Sequence, residues 1–338
     1  MVQRNLTWFN IALGLVSLHY GMGFLLGIAE SSYTRGYQGA LYGIATSLGI
    51  LSLVFISKYY WQKKDPLWKI FGKAYGRNVE SLVRFLSWIW MIGVVASQVL
   101  GAAFILSILG IPPVVSIWVL AAAVNFLSIL KLKSMSRLFL GTLILSSLGV
   151  IAVVFFFLGA NSYTNLAGQF LGGVGHISPQ DYVGIGVTTV LITVLGMDFH
   201  QFIVAGRSLK HVWTGELVAC VVLLVLAFLP AATVIFGRDP GLGDVDSKMV
   251  FPLILLNRGN GFARGLGTLI VAFLGTAALG SGIGVCRVVN STAEEMFGQQ
   301  GKQDAQHKIL VSLVGIIIIG LLAMFGKSII GLIVSFYT

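Results

Sequence analysis

Two short runs place chemically capable side chains where hydrocarbon is expected. The first is His19-Tyr20-Gly21-Met22-Gly23, in the middle of the apolar stretch WFNIALGLVSLHYGMGFLLGIAESSYTRG (residues 8–36). The second is Gly196-Met197-Asp198-Phe199-His200, inside residues 182–206. An imidazole or a carboxylate in a membrane interior is costly unless it faces protein, water or a ligand. Glycine loosens the helix at the same points. Imidazole titrates near neutrality, so His19 can carry a coupling proton; its bland alternative is a neutral ring bonded to a helix carbonyl. Asp198 needs a partner: His19, His200, a cation or a solute amine. Asp198 and His200 are two apart and point to different faces of an intact helix, but a break at Gly196 lets both reach one cavity. A third span adds Ser97 and Gln98, where a buried amide is either interhelical glue or a ligand.

These residues need a membrane scaffold. The chain has 338 residues, 57% hydrophobic and only 10% charged, far below the roughly 25% charge of soluble domains. Apolar spans are expected at about 7–29, 37–57, 82–110, 113–131, 136–159, 181–205, 212–236, 262–288 and 308–325, with a short last piece from 328. With the N-terminus in the cytoplasm, sixteen of the 22 basic residues fall inside and six outside (Arg35, Arg238, Lys248, Arg258, Arg264 and Lys327). That bias is the positive-inside pattern, so the net charge of +10 points to cytoplasmic loops rather than nucleic acid. The expected architecture is an all-α membrane protein of about ten transmembrane helices. They form two inverted five-helix repeats, residues 1–160 and 161–338, with the first and sixth helices broken.

Connections are read as follows. The segment KYYWQKKDPLWKIFGKAYGR is a basic inside loop or an amphipathic piece on anionic lipid. Residues 160–181 and 237–261 are polar outside loops. Cys220 and Cys286 fall in apolar spans and are expected as free thiols. No catalytic or metal-ligating spacing is present: GSGIG at 280–284 sits inside a span rather than after a strand, and the cysteines lie far from paired histidines. An enzyme is not expected.

Three segments together resemble the sodium/solute symporter family. They are YGRNVESLVRFLSWIWMIGVVASQVLGAAFILSILGI, GMDFHQFIVAGRSLKHVWTG and FPLILLNRGNGFARGLGTLIVAFLGTAALGSGIGVCRVVNSTAEEMFG, in the family's order. The resemblance implies secondary active transport by alternating access, with ten core helices. It also implies a weak sodium site from backbone carbonyls near Ser17 and Tyr20, joined by Ala278 and Ser281 of the eighth core helix. Two positions depart from the family pattern: Gly282 replaces a second hydroxyl, and His19 stands where some members carry an aspartate. Fewer oxygens weaken a hard-cation site, so the coupling ion is sodium or a proton. The candidate solute-binding set is His19, Tyr20, Gly21, Gly23, Gln98, Gly196, Asp198 and His200.

The expected function is symport of a small organic solute in a bacterial-type plasma membrane, without a cofactor beyond the coupling ion. The alternative is a transporter-derived subunit or ligand sensor that no longer transports. That alternative rests on the depleted cation site and on the eleven residues SIIGLIVSFYT after Lys327, about half a crossing, which a helix from a partner or a second copy would complete.

Overall fold

A segment that crosses hydrocarbon must satisfy its backbone polar groups internally, and this chain does so with helices throughout. The computed structural model describes residues 4–237, 245–297 and 305–326. In order the helices are α1 (Trp8–His19), α2 (Met22–Arg35), α3 (Leu41–Lys63), α4 (Leu67–Tyr75), α5 (Arg77–Ile108), α6 (Pro113–Leu127), α7 (Leu132–Ala152) and α8 (Ala160–Gly173). Then α9 (Pro179–Asp181) runs through the π-helical stretch Tyr182–Val187 into α10 (Thr188–Leu195). The last five are α11 (Met197–Val204), α12 (Leu209–Gly237), α13 (Ser247–Phe262), α14 (Leu266–Phe297) and α15 (Ala305–Phe325). Local chemistry sets several boundaries. Lys64 turns the chain with a left-handed φ of 61° just before Asp65-Pro66, and proline cannot continue a helix. Pro113 opens α6 at its first turn, where its missing N–H costs nothing.

Among the described residues, five helical runs are long and apolar enough to cross a bilayer: Met22–Lys63, Arg77–Ile108, Leu132–Phe156, Leu209–Gly237 and Leu266–Phe297. The pair Pro179–Leu195 and Met197–Val204, bent by 43°, makes a sixth. Trp8–His19, Pro113–Leu127 and Ser312–Phe325 are shorter apolar helices. The predicted spans from 37 onward overlap these helices or the bent pair, while the first, 7–29, is divided between Trp8–His19 and the start of Met22–Lys63. The outward faces carry bare apolar side chains, with Phe55 and Phe156 both 85% exposed. Such a surface is stable against acyl chains and not against water.

Two predicted loops are corrected. Residues 160–173 form α8, which buries Leu166 and Phe170, and residues 247–262 form α13, which buries Phe251, Ile254 and Leu255. Both are too short or too polar to register as spans, yet each has an apolar stripe to pack. The basic segment after α3 contains α4, which tucks Leu67 and Trp68 inward instead of lying as an open loop. Cys220 and Cys286 are free, the first only half-buried. The predicted terminal piece from 328 lies outside the described residues, as do Arg238, Asp239, Lys302 and Lys327.

At the centre, the 32-residue helices α5 and α14 run along each other, and α14 also packs on α7 and α1. The start of α1 is tied to the end of α11. Leu6 N–H donates to the Ala205 carbonyl at 3.1 Å, and Arg207 N–H donates to the Leu6 carbonyl at 2.9 Å. The Arg4 guanidinium lies 3.9 Å over the Trp61 ring, whose Nε1–H donates to the Gly206 carbonyl at 2.9 Å. Elsewhere, Asn125 of α6 joins α14 and α15. Its amide donates to the Ser312 carbonyl at 3.2 Å, while its oxygen accepts from the Ser312 hydroxyl and, at 3.2 Å, from Asn290.

Replacing Asn125 with Leu leaves those donors without their acceptor. The expected result is a loss of about 1–2 kcal/mol, read as a lower melting temperature of the purified protein. Unchanged melting would show that the cluster contributes nothing to holding α15.

Candidate solute and cation site

An unbroken helix through Tyr20-Gly21 would return the Gly21 N–H to Ser17 and the Met22 N–H to Leu18. Neither bond forms. Tyr20 takes φ −75° and ψ 58°, an inverse γ-turn, and the Gly21 N–H bonds back to the His19 carbonyl at 2.7 Å. The released groups find side chains. The Met22 N–H donates to Gln98 Oε1 at 2.5 Å, and the Leu18 carbonyl accepts the Ser281 hydroxyl at 2.5 Å. Gly21 is required by space rather than by φ: a Cβ there would lie 2.3 Å from Gln98 Oε1 and 2.6 Å from Ser281 Cβ.

The second break is at Gly196, which is extended (φ −70°, ψ 122°) between α10 and α11. A Cβ on Gly196 would lie 2.6 Å from the Phe199 ring and 2.7 Å from Asp198 Oδ1. The Asp198 side chain is thus folded back over the first turn of α11, where exposed N–H groups favour a carboxylate. Asp198 is only 2% exposed, and its Oδ1 has no hydrogen-bond partner among the described residues.

Both breaks face one small chamber, with about 30 Å³ of room for the centres of water-sized spheres. That admits one or two waters. Leu18, His19, Phe24, Gln98, Asp198 and Phe199 line it, together with Tyr42 of α3, Trp90 of α5 and Thr189 and Thr193 of α10. The His19 ring stacks on Phe199 at 4.3 Å and 16°, and its buried Nε2 has no hydrogen-bond partner among the described residues.

On the far side of α11 lies a vestibule of about 1470 Å³ on the same measure. Lys64, Lys131, Lys133, Arg137 and Arg287 line it, so the basic segments predicted to share one side of the membrane do meet at one end. The first turn of α11 is the wall between the two spaces: Asp198 and Phe199 face the chamber, while Met197, His200 and Gln201 face the vestibule. Gln201 Nε2 pins that turn to the Gly284 carbonyl of α14 at 3.1 Å.

Of the predicted set, His19, Gln98 and Asp198 line the chamber, and Gly21 and Gly196 mark the breaks that form it. His200 does not join them. It lies against Tyr60 at 4.7 Å on the vestibule side, because Asp198 and His200 both lie past the break, within α11, where residues two apart point to different faces. Tyr20 is buried but contributes its backbone turn rather than a chamber surface, and Gly23 is buried in the first turn of α2. Tyr42, Trp90, Thr189 and Thr193 were not legible as site residues, since each is an ordinary packing residue in its own span.

For the predicted cation positions, Ser281 meets the α1 backbone, although at Leu18 rather than at Ser17 or Tyr20. Ser17 Oγ donates to the Phe139 carbonyl at 3.5 Å, and Ala278 is buried. Gly282 carries no side-chain oxygen, and a Cβ there would meet Val124 at 3.2 Å. One hydroxyl beside loosened carbonyls fits a hard cation only sparingly, since such ions take about six oxygens.

The fold is similar to that of a solved membrane transporter. A solved structure of a Na+-coupled sialic acid symporter, substrate-bound and outward-open, superposes with a TM-score of 0.77 at 15% identity, covering 95% of this chain and 73% of that one. Residues 1–131 match the sequence model of the sodium:solute symporter family. Among curated proteins, none matches. The first broken span, α3 and the Gln98 helix all lie within the matched residues.

Gly21→Ala is expected to destabilise the protein by about 1–3 kcal/mol through overpacking, and Gln98→Leu by a similar amount through the orphaned Met22 N–H. Melting of the purified variants tests both. Wild-type melting in both would mean that the α1–α2 break is not held by this pair.

Proposed function

We propose that this protein is a secondary active transporter that carries a small organic solute across the bilayer by alternating access, coupled to a cation. The observation that supports it most is the juxtaposition of two helix breaks at one chamber, one helical turn away from a wide vestibule. A chamber closed by a single turn of α11 can exchange its contents with the vestibule when that turn moves. The family match over residues 1–131 and the fold likeness support the same reading and favour sodium as the coupling ion. Within it, the two five-helix repeats are residues 1–160 and 161–338. The basic vestibule opens to the cytoplasm, which also receives the N-terminus. His19 is the candidate proton carrier if sodium is not the ion.

The test is solute uptake by the reconstituted protein in liposomes, using a panel of amino acids, amides and short carboxylates under separate sodium and proton gradients. At least one solute is expected to accumulate under an inward sodium gradient, and His19→Ala, which alters the chamber wall, is expected to change the apparent KM for the solute while uptake still depends on sodium. Uptake driven only by a proton gradient and lost in His19→Ala would reassign coupling to protons. Binding without uptake under either gradient would replace transport with a sensor or subunit role.

A further inference from the structure

Asp198 is the feature that a general solute site leaves unexplained. Among the described residues, it is the only carboxylate, lysine, arginine or histidine other than His19 that lines the chamber. Its Oδ1 is buried and without a partner among the described residues, and a carboxylate in that position is very unfavourable until something neutralises or hydrogen-bonds it. Among the described residues no Lys or Arg lines the chamber to do so, and the backbone N–H groups of Asp198 and Phe199 supply hydrogen bonds without a countercharge. Four of the surrounding wall residues are aromatic (Phe24, Tyr42, Trp90 and Phe199), beside the aliphatic Leu18, Val94 and Ile192. Ring faces attract cations and give nothing to anions. The hydroxyls of Thr189 and Thr193 and the Gln98 amide add acceptors of modest reach.

Resting on the transport reading above, we propose that the chamber recognises a protonated primary amine, with Asp198 as the group that binds the solute's ammonium head. Size selects among amines. The head must enter room for one or two waters, which an –NH3+ group fills and a quaternary ammonium does not. Three N–H donors then meet Asp198 Oδ1 and the neighbouring oxygens, while the aromatic walls replace the water stripped from the charge. An anionic head would face Asp198 directly and find no compensating cation.

The test uses three probes that share a three-carbon chain and differ in the head: propylammonium, propionate and propionamide. Binding to the purified full chain is followed by melting shift and calorimetry, alongside flux in liposomes. Propylammonium is expected to bind and stabilise, and the other two are not. Asp198→Asn should raise the propylammonium Kd roughly tenfold to a hundredfold, the span for losing a hydrogen bond to a charged group. Should that variant not fold, Asp198→Glu serves, with weakened but measurable binding expected. The ranking of the three probes on the wild type needs no variant.

Equal or tighter binding of propionate or propionamide would overturn the amine assignment, as would propylammonium binding indifferent to Asp198. No binding by the amine, together with sodium-driven flux of some other solute, would sink this assignment and leave transport standing. Amine binding that depends on Asp198, without flux of any solute, would sustain the assignment and sink transport.

Discussion

The structure depends on how a break in a membrane helix keeps its backbone satisfied. Hydrocarbon offers no hydrogen bonds, so each N–H or carbonyl released at Tyr20-Gly21 needs a partner within the protein. Gln98 and Ser281 supply two of them, from α5 and α14, the two longest helices. The site is therefore assembled from outside as much as from its own sequence. Remove the acceptor on Gln98 and the break loses the bond that fixes where α2 begins. Fill the space at Gly21 and the two supporting helices are pushed apart. The unwound backbone, the packing of α1 on α14 and the position of the chamber are one physical fact seen from three sides.

A second constraint links the two broken helices. Leu6 and the 205–207 turn exchange backbone hydrogen bonds at the basic end, and Trp61 clasps the same turn. Further in, Gly14 lets Phe202 press against α1, where a Cβ would lie 2.2 Å from the ring. α1 and α11 are thus clamped at two levels, and a shift of one carries the other. The chamber and the vestibule lie on opposite sides of a single turn of α11, and the His19–Phe199 stack spans from α1 to that turn. Opening this wall calls for a small rotation of a clamped pair against α14, released at Gln201, rather than for unfolding any helix.

Much of this was readable in the residues because the rules for hydrocarbon are strict. Glycine beside histidine at 19–23, and glycine beside aspartate at 196–198, violate the requirements of a simple anchor, and both positions are breaks. The spread of lysine and arginine located one end of the molecule before any coordinate did. What escaped reading obeys weaker rules. α8 and α13 are amphipathic segments between spans, with too little hydropathy to separate them from loops. His200 was placed in the chamber on the assumption that the break at Gly196 scrambles the helical phase. Asp198 and His200 both lie past that break, inside α11, where positions two apart still diverge, so His200 faces the vestibule. Tyr42, Trp90, Thr189 and Thr193 became site residues only through the packing of α3, α5 and α10, which is long-range information that no local pattern carries.

The charges at the two levels appear at first to conflict, since a basic vestibule leads to a chamber whose fixed charge is a carboxylate. Magnitudes resolve it. A contact pair at roughly 4 Å under an effective dielectric near 20 is worth about 4 kcal/mol, whereas a unit charge about 10 Å away across water contributes about 0.4 kcal/mol before salt reduces it. Several vestibule cations together still fall short of one carboxylate at contact distance, as proposed for Asp198. Glu294 and Glu295 lower the sum further, the second already paired with Lys69 at 2.7 Å. On the positive-inside reading, lysine and arginine at the mouth serve topology, which is decided while a chain inserts. On the proposed amine reading, selectivity is decided deeper, where water is scarce and one buried carboxylate oxygen outweighs a ring of solvated ammonium and guanidinium groups.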